Sequence, residues 1–190
     1  MLSHAMKKTL ILDHKKSKVL RQTAKLVDLH DIGTKKLGDI IARMKAALHE
    51  QEDGVAIAAP QIGESLRIFV VKGSAVDMYR GQDKKLHTKE GKPQRPDTVF
   101  INPEIIKLSK KKRSVEEGCL SVRWLYGYVL RHEKATIKAY DESGKRFETG
   151  GSGLMAQIFQ HETDHLDGIL FIDKAENVRD LPPTKDEGGD

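Results

Sequence analysis

Along residues 35–50 the apolar positions Leu37, Ile40, Ile41, Met44 and Leu48 recur at steps of three and four, with charged residues between them. That period puts one apolar stripe on a helix, which is predicted to end by Gly54. Residues 54–63, GVAIAAPQIG, carry no charge and close on Pro60 and Gly63. They are expected to lie as a tight segment against a core or a ligand. Residues 67–72, RIFVVK, read as a buried strand. Residues 73–97 show no useful period and mix lysine, glycine and proline, so a long loop or loose hairpin is expected. Short strands are expected at 98–101 and 104–108, either side of Asn102-Pro103. Lys134–Tyr140 alternates, residues 141–144 turn and 146–148 return, which makes a hairpin.

A second helix is predicted from Gly153 to Leu166, capped by Ser152 and stopped by Gly168. Leu154, Ile158, His161 and His165 share one face of it. Residues 174–190 are polar and broken by Pro182 and Pro183, and are expected to be a disordered tail. Strands in the middle and one strongly apolar helix after them give an α+β fold. The expectation is one domain over residues 1–173, with antiparallel strands packed around that last helix.

Composition narrows the function. Charged residues make up 32% of the 190 and hydrophobic ones 38%, ordinary values for a globular chain. No run approaches the roughly 18 apolar residues of a membrane span, so no membrane partner is expected. The net charge of +5 gathers in residues 84–95 and 107–113. No aromatic side chains interleave there, so neither a stacking platform nor sequence-specific nucleic-acid binding is expected. The one cysteine, Cys119, has no internal disulfide partner, which fits a reducing compartment. Alone it reads as a buried apolar thiol.

The strongest chemical signal is His161-Glu162-Thr163-Asp164-His165, an HExxH sequence on the predicted helix. Residues four apart stack on one face, so both imidazoles can reach one ion, and Glu162 stands beside them as a general base for a water. A catalytic divalent site usually takes three protein ligands and leaves a position open. Glu117 and Cys119 are candidates for the third ligand. Asp164 is better placed to accept a histidine N–H. Gly118 permits a bend beside Cys119, and the Leu120 N–H follows, able to point at the site.

Three motifs in order then carry a resemblance. Residues 54–61 read GVAIAAPQ, against GxGxAAxQ. Residues 117–121 read EGCLS, and residues 160–166 read QHETDHL, matching QHExDHL. Together they resemble the peptide deformylase family over roughly residues 10–173. The resemblance implies that Cys119, His161 and His165 bind one divalent metal ion. Iron(II) is expected in cells, while zinc, nickel or cobalt suit the same ligands. It implies that Glu162 is the general acid and base, and that Gln61 and the Leu120 N–H polarise the formyl oxygen. Gly54, Val55, Ala56, Ile57 and Gly118 would bind substrate. The implied reaction removes the formyl group from N-formylmethionyl nascent peptides and releases formate. The ribosome near its exit tunnel is a further implied partner. The tail lacks the basic helix that some members use there, which leaves the lysine-rich loops for that contact.

The chain departs from the family pattern at two places. Ala56 stands where the family has glycine, and Arg123 where proline is frequent, so the pocket rim is expected to differ around residues 123–126. Arg131 resembles a position the family keeps, but reads equally as a surface arginine paired with Glu133. Competing readings are an HExxH zinc peptidase, a deformylase-like protein of reduced activity and a protein with a structural metal. For the peptidase, Asp173, Glu176 and Asp180 offer no persuasive third-ligand spacing. The Ala56 methyl is expected to trim the pocket without removing the chemistry. Turnover of a formylated tripeptide by Ala56→Gly checks this: a steep rise would mean that the methyl obstructs.

Overall fold

The computed structural model describes residues 9–79 and 95–182. Helix α1 runs Lys35–His49, with Thr34 accepting the Leu37 N–H at 3.4 Å as its N-cap. It buries Leu37, Ile40, Ile41, Met44, Ala47 and Leu48, the face that the periodicity predicts. Strand β1 is Ala56–Ala58 and β2 is Ile68–Val71. Helix α2, Gly73–Tyr79, follows. The strands β3 (Thr98–Leu108), β4 (Lys112–Cys119), β5 (Val122–His132), β6 (Lys134–Tyr140) and β7 (Arg146–Ser152) come next. Helix α3, Gly153–Leu166, and strand β8, Glu176–Asp180, complete the order.

Five strands form one antiparallel sheet in the order β1-β2-β3-β6-β7, and three form a second in the order β4-β5-β8. The larger sheet lies between the two long helices. Alternation along β2 shows how. Phe69 and Val71 join the core under α3, while Ile68 and Val70 join the core under α1. A strand covered on both faces needs no polar positions, which is why IFVV reads as one apolar run. Phe69 and Phe100 stack at 4.4 Å between ring centroids, and Phe159 of α3 meets Phe100 edge-on at 5.6 Å. The fold is therefore α+β and a single domain, as the pattern predicts.

Four features differ from the pattern's reading. Residues 98–108 form one strand rather than two; Asn102, at φ 49°, makes an irregularity between Ile101 and Glu104. Its amide is paired both ways with the Val27 backbone at 2.8 Å, which secures that backbone turn. The stretch expected as a loop opens as helix α2, with the Gly73 N–H bonded to Asp97 Oδ1 at 3.1 Å; residues 80–94 lie outside the described residues. The hairpin of β4 and β5 was not foreseen, because β4 is mostly polar and exposed. Finally, the expected disordered tail begins too early. Residues 176–180 are strand β8, paired with β5 at Leu125, Tyr126 and Tyr128. This exposed edge strand is held by backbone bonds, so a polar composition suits it and hides it from a hydrophobic pattern. Residues 183–190 lie outside the described residues.

Gln160 joins α3 to the second sheet. Its Oε1 accepts the His132 N–H and its Nε2 donates to the His132 carbonyl, both at 3.0 Å. Because Phe100 touches rings from β2 and α3 and is 1% exposed, Phe100→Ala is expected to lower unfolding free energy by about 3–5 kcal/mol. Chemical denaturation checks this as a lower midpoint with an unchanged slope.

Candidate active site

The turn after β1 sets the first side chain. Ala59–Ile62 is a 3-10 turn closed by Gly63 at φ 89°, a left-handed position that favours glycine. It buries Gln61. Gln61 Oε1 accepts the Ala58 N–H at 2.8 Å, so its Nε2 is turned the other way, 3.6 Å from Cys119 Sγ and 3.3 Å from Ser121 Oγ. The bond to Ala58 fixes which end of the amide faces the cleft.

Cys119 closes β4, and the two-residue turn Leu120-Ser121 leads into β5. The Ser121 N–H points back at Cys119 Sγ at 3.4 Å. Residues near the N-terminus brace both segments. The Leu12 N–H donates to the Gln61 carbonyl at 2.8 Å, and the His14 N–H to the Ser121 carbonyl at 3.0 Å. Gly118 is required by packing: a Cβ there would sit 2.8 Å from the Tyr126 ring.

Helix α3 brings His161 and His165 to the same place. One ligand atom from each, with the Cys119 sulfur, forms a group all within 4.8 Å of one another. His165 Nε2 is 3.2 Å from Cys119 Sγ. His161 Nδ1 is 2.9 Å from Glu117 Oε2, which leaves its Nε2 for the other side. Glu162 is buried beside them, and its Oε2 has no hydrogen-bond partner in the protein. Burial pushes the Glu162 carboxyl up. Burial would also raise the Cys119 thiol, but the imidazoles of His165 and His161 outweigh it and hold that thiol well below its ordinary value. That direction favours the thiolate, the form that binds metals. A soft sulfur, two imidazoles and a buried carboxylate wanting a partner fit a divalent transition ion with a water.

Behind this set lies a buried ion-pair network. Arg131 Nε and Nη2 donate to the two oxygens of Glu117 at 2.8 and 2.9 Å, and Nη1 donates to Asp164 Oδ2 at 2.6 Å. Lys174 Nζ donates to the other Asp164 oxygen at 2.7 Å. Burial alone would raise the Glu117 carboxyl, but bonds from His161 and Arg131 bring it down to about 2.

A cleft of about 280 Å³ opens onto the site. Gly54, Val55, Ala56, Gln61, Gly118 and Leu120 are among its lining residues. Ile57 is not: its side chain alternates to the other face of β1 and is buried in the core under α1. That corrects its expected place at the substrate. Ala56 has no positive φ, so its methyl imposes no backbone strain; the non-glycine positive angles among the described residues belong to Asn102, Trp124 and Asn177. Arg131 is 5% exposed rather than a surface arginine, and Glu133 pairs with Lys111 instead. Glu117, and not Asp164, takes the histidine N–H. One signal could have exposed Arg131. It shares the inward parity of Val129 along β5, while Tyr128 and Leu130 face outward.

Fold and site together define a hydrolase built around an HExxH helix. The polypeptide deformylase family model matches residues 7–180. A peptide deformylase of Dehalococcoides mccartyi is 42% identical over 164 residues, 86% of this chain and 84% of that protein. Among solved structures, a peptide deformylase from Legionella pneumophila aligns at TM-score 0.73 and 36% identity, over 90% of this chain and 88% of that one. The class I type b enzyme of Acinetobacter baumannii with Met-Ala-Ser bound aligns at TM-score 0.72 and 31% identity, covering 88% and 99%. The chain belongs to the polypeptide deformylase family.

Arg131→Ala leaves the buried Glu117 carboxylate without its guanidinium and Asp164 with Lys174 alone, and is expected to cost about 3–5 kcal/mol in unfolding free energy. Arg131→Lys should recover only part, because an ammonium cannot fork. The network also sets an acid limit. The Glu117 pKa lies below its ordinary value when folded, so its contribution is complete above that ordinary value and fades as pH falls toward about 2. Denaturation midpoints taken from pH 6 downward should therefore fall less steeply in Glu117→Gln.

Proposed function

We propose that this site deformylates N-formylmethionyl peptides, with Cys119, His161 and His165 as the ligands of one divalent ion. The observation that carries the reading is the approach of one sulfur and two imidazoles beside a buried, unpartnered Glu162 carboxylate. Such an ion, iron(II) expected and zinc, nickel or cobalt chemically suited, would supply Lewis acidity there and would make water a nucleophile near neutral pH. Glu162, with its raised pKa, accepts a proton as the oxygen of a water adds to the formyl carbon. Gln61 Nε2 and the Leu120 N–H donate to the oxygen that gains charge. One such donor is worth about 3–4 kcal/mol in comparable hydrolases. Glu162 then returns its proton to the amine as the C–N bond breaks. Formate leaves, and the peptide keeps a free methionine amine.

Strand β1 offers the peptide a track. Among the described residues it pairs with β2 alone, and its outer edge there is available to a chain added as a further strand. Gly54, Val55 and Ala56 lead along that edge, with Gly118 across the cleft. The Met-Ala-Ser bound to the Acinetobacter baumannii relative supports a methionine-led peptide here. Two further expectations stay with this reading: a cytoplasmic location, and contact with the ribosome through exposed lysines such as those at 107–113. No helix of the described residues is long and apolar enough to cross a membrane.

The test is formate release from formyl-Met-Ala-Ser by the iron(II)-loaded protein, with unformylated peptide as the control. Glu162→Gln should lower kcat by about 10²–10⁴ while metal content is retained. Chain cleavage of the unformylated peptide, or full activity in Glu162→Gln, would overturn the reading.

A further inference from the structure

Trp124 is an exposed aromatic residue held in a backbone conformation that aromatics avoid. Its φ is 68°, in the left-handed region, and it is 40% exposed at the mouth of the catalytic cleft. Residues kept in such a region need surroundings that hold them, and they gather at ligand sites. Here the hold is visible. The Leu181 N–H donates to the Trp124 carbonyl at 2.7 Å, just beyond the pairing of Leu125 with Asp180. The Arg123 guanidinium lies over the indole at 5.9 Å from its centroid. Arg123 is anchored in turn on the opposite wall, donating to Asp53 at 3.0 and 3.3 Å and to Gln51. The main chain of Trp124 is thus held by Leu181, its ring is flanked by Arg123, and the residue lines the cleft while 40% exposed.

The mouth's charges are already engaged. Arg123 is paired with Asp53, and Glu116, which also lines the cleft, is paired with Arg179. Trp124 adds an exposed aromatic face to that rim. We propose that Trp124 is a specificity-determining residue: its ring receives the side chain of a residue downstream of the formylmethionine and favours an aromatic one. This rests on the deformylase reading. It adds a preference that the ion and Glu162 do not supply.

Trp124 is the only tryptophan in the chain, so its emission reports the contact directly. Metal-loaded protein would be titrated with the product peptides Met-Ala-Ser, Met-Phe-Ser, Met-Ala-Phe and Met-Asp-Ser, following fluorescence and, in parallel, heat of binding. One of the two phenylalanine peptides should bind about threefold to tenfold tighter than Met-Ala-Ser and shift the emission most. In Trp124→Gly that ratio, read by calorimetry, should fall to about one. Glycine also removes the left-handed cost, so a merely structural tryptophan predicts equal or greater thermal stability with the preference intact. With formylated versions of the same peptides, the lost preference should appear in KM rather than kcat. Equal affinity for all four peptides, no binding by any of them, a preference for Met-Asp-Ser, or a preference that survives in Trp124→Gly would each overturn the proposal. Peptide selectivity without any formate release would instead sink the deformylase reading and leave the platform standing.

Discussion

Three charged side chains in the interior hold the site's two halves together. Arg131 on β5 grips Glu117 on β4 with two donors and Asp164 on α3 with a third. Glu117 in turn bonds to His161. Buried charges of this kind are a poor source of net stability, because their desolvation offsets much of their attraction. Their worth is geometric. The guanidinium is planar and its donors point in fixed directions, so the hairpin that carries Cys119 and the helix that carries the histidines cannot slide independently.

The rest of the fold serves that alignment. A two-faced sheet, covered by α1 on one side and α3 on the other, gives the histidine helix a rigid floor of Phe69, Phe100 and Ile137. The second sheet approaches from the side and ends at the Cys119 turn. The N-terminal segment then ties the Gln61 carbonyl and the Ser121 carbonyl to neighbouring residues, Leu12 and His14. The donors that face the cleft are therefore spaced by main chain on both sides, rather than by loops free to drift.

The two amphipathic helices could be read directly from the sequence, because their apolar stripes are long and their terminators stand in place. The HExxH pair was readable for the same reason: a helical period fixes which residues meet. Strand β4 was not, since KRSVEEGC faces solvent along most of its length and carries little hydrophobic signal. Strand β8 escaped similarly. Arg131 is buried although a single arginine beside Tyr128, Val129 and Leu130 looks like an outward residue. The alternation along β5 points Val129 and Arg131 in while the larger apolar neighbours point out. Ile57 turns its side chain away from the cleft because successive side chains of a strand face opposite ways, which a run of apolar letters does not show. The third candidate ligand, Cys119, lies on another element, and spacing along one helix cannot say which distant residue arrives there.

Gln160 shows how finely the last helix is set. Its side-chain amide gives and takes hydrogen bonds with the same backbone unit, that of His132, just as a peptide group in an adjacent strand would. The helix thus carries one rung of a ladder it does not belong to. Greasy contacts tolerate a small rotation of a cylinder on a sheet, but a reciprocal amide pair does not. With that rung one residue ahead of His161, the helix is indexed to the sheet like a key to its lock, and a glutamate in the same place would keep the shape while losing one of the two teeth.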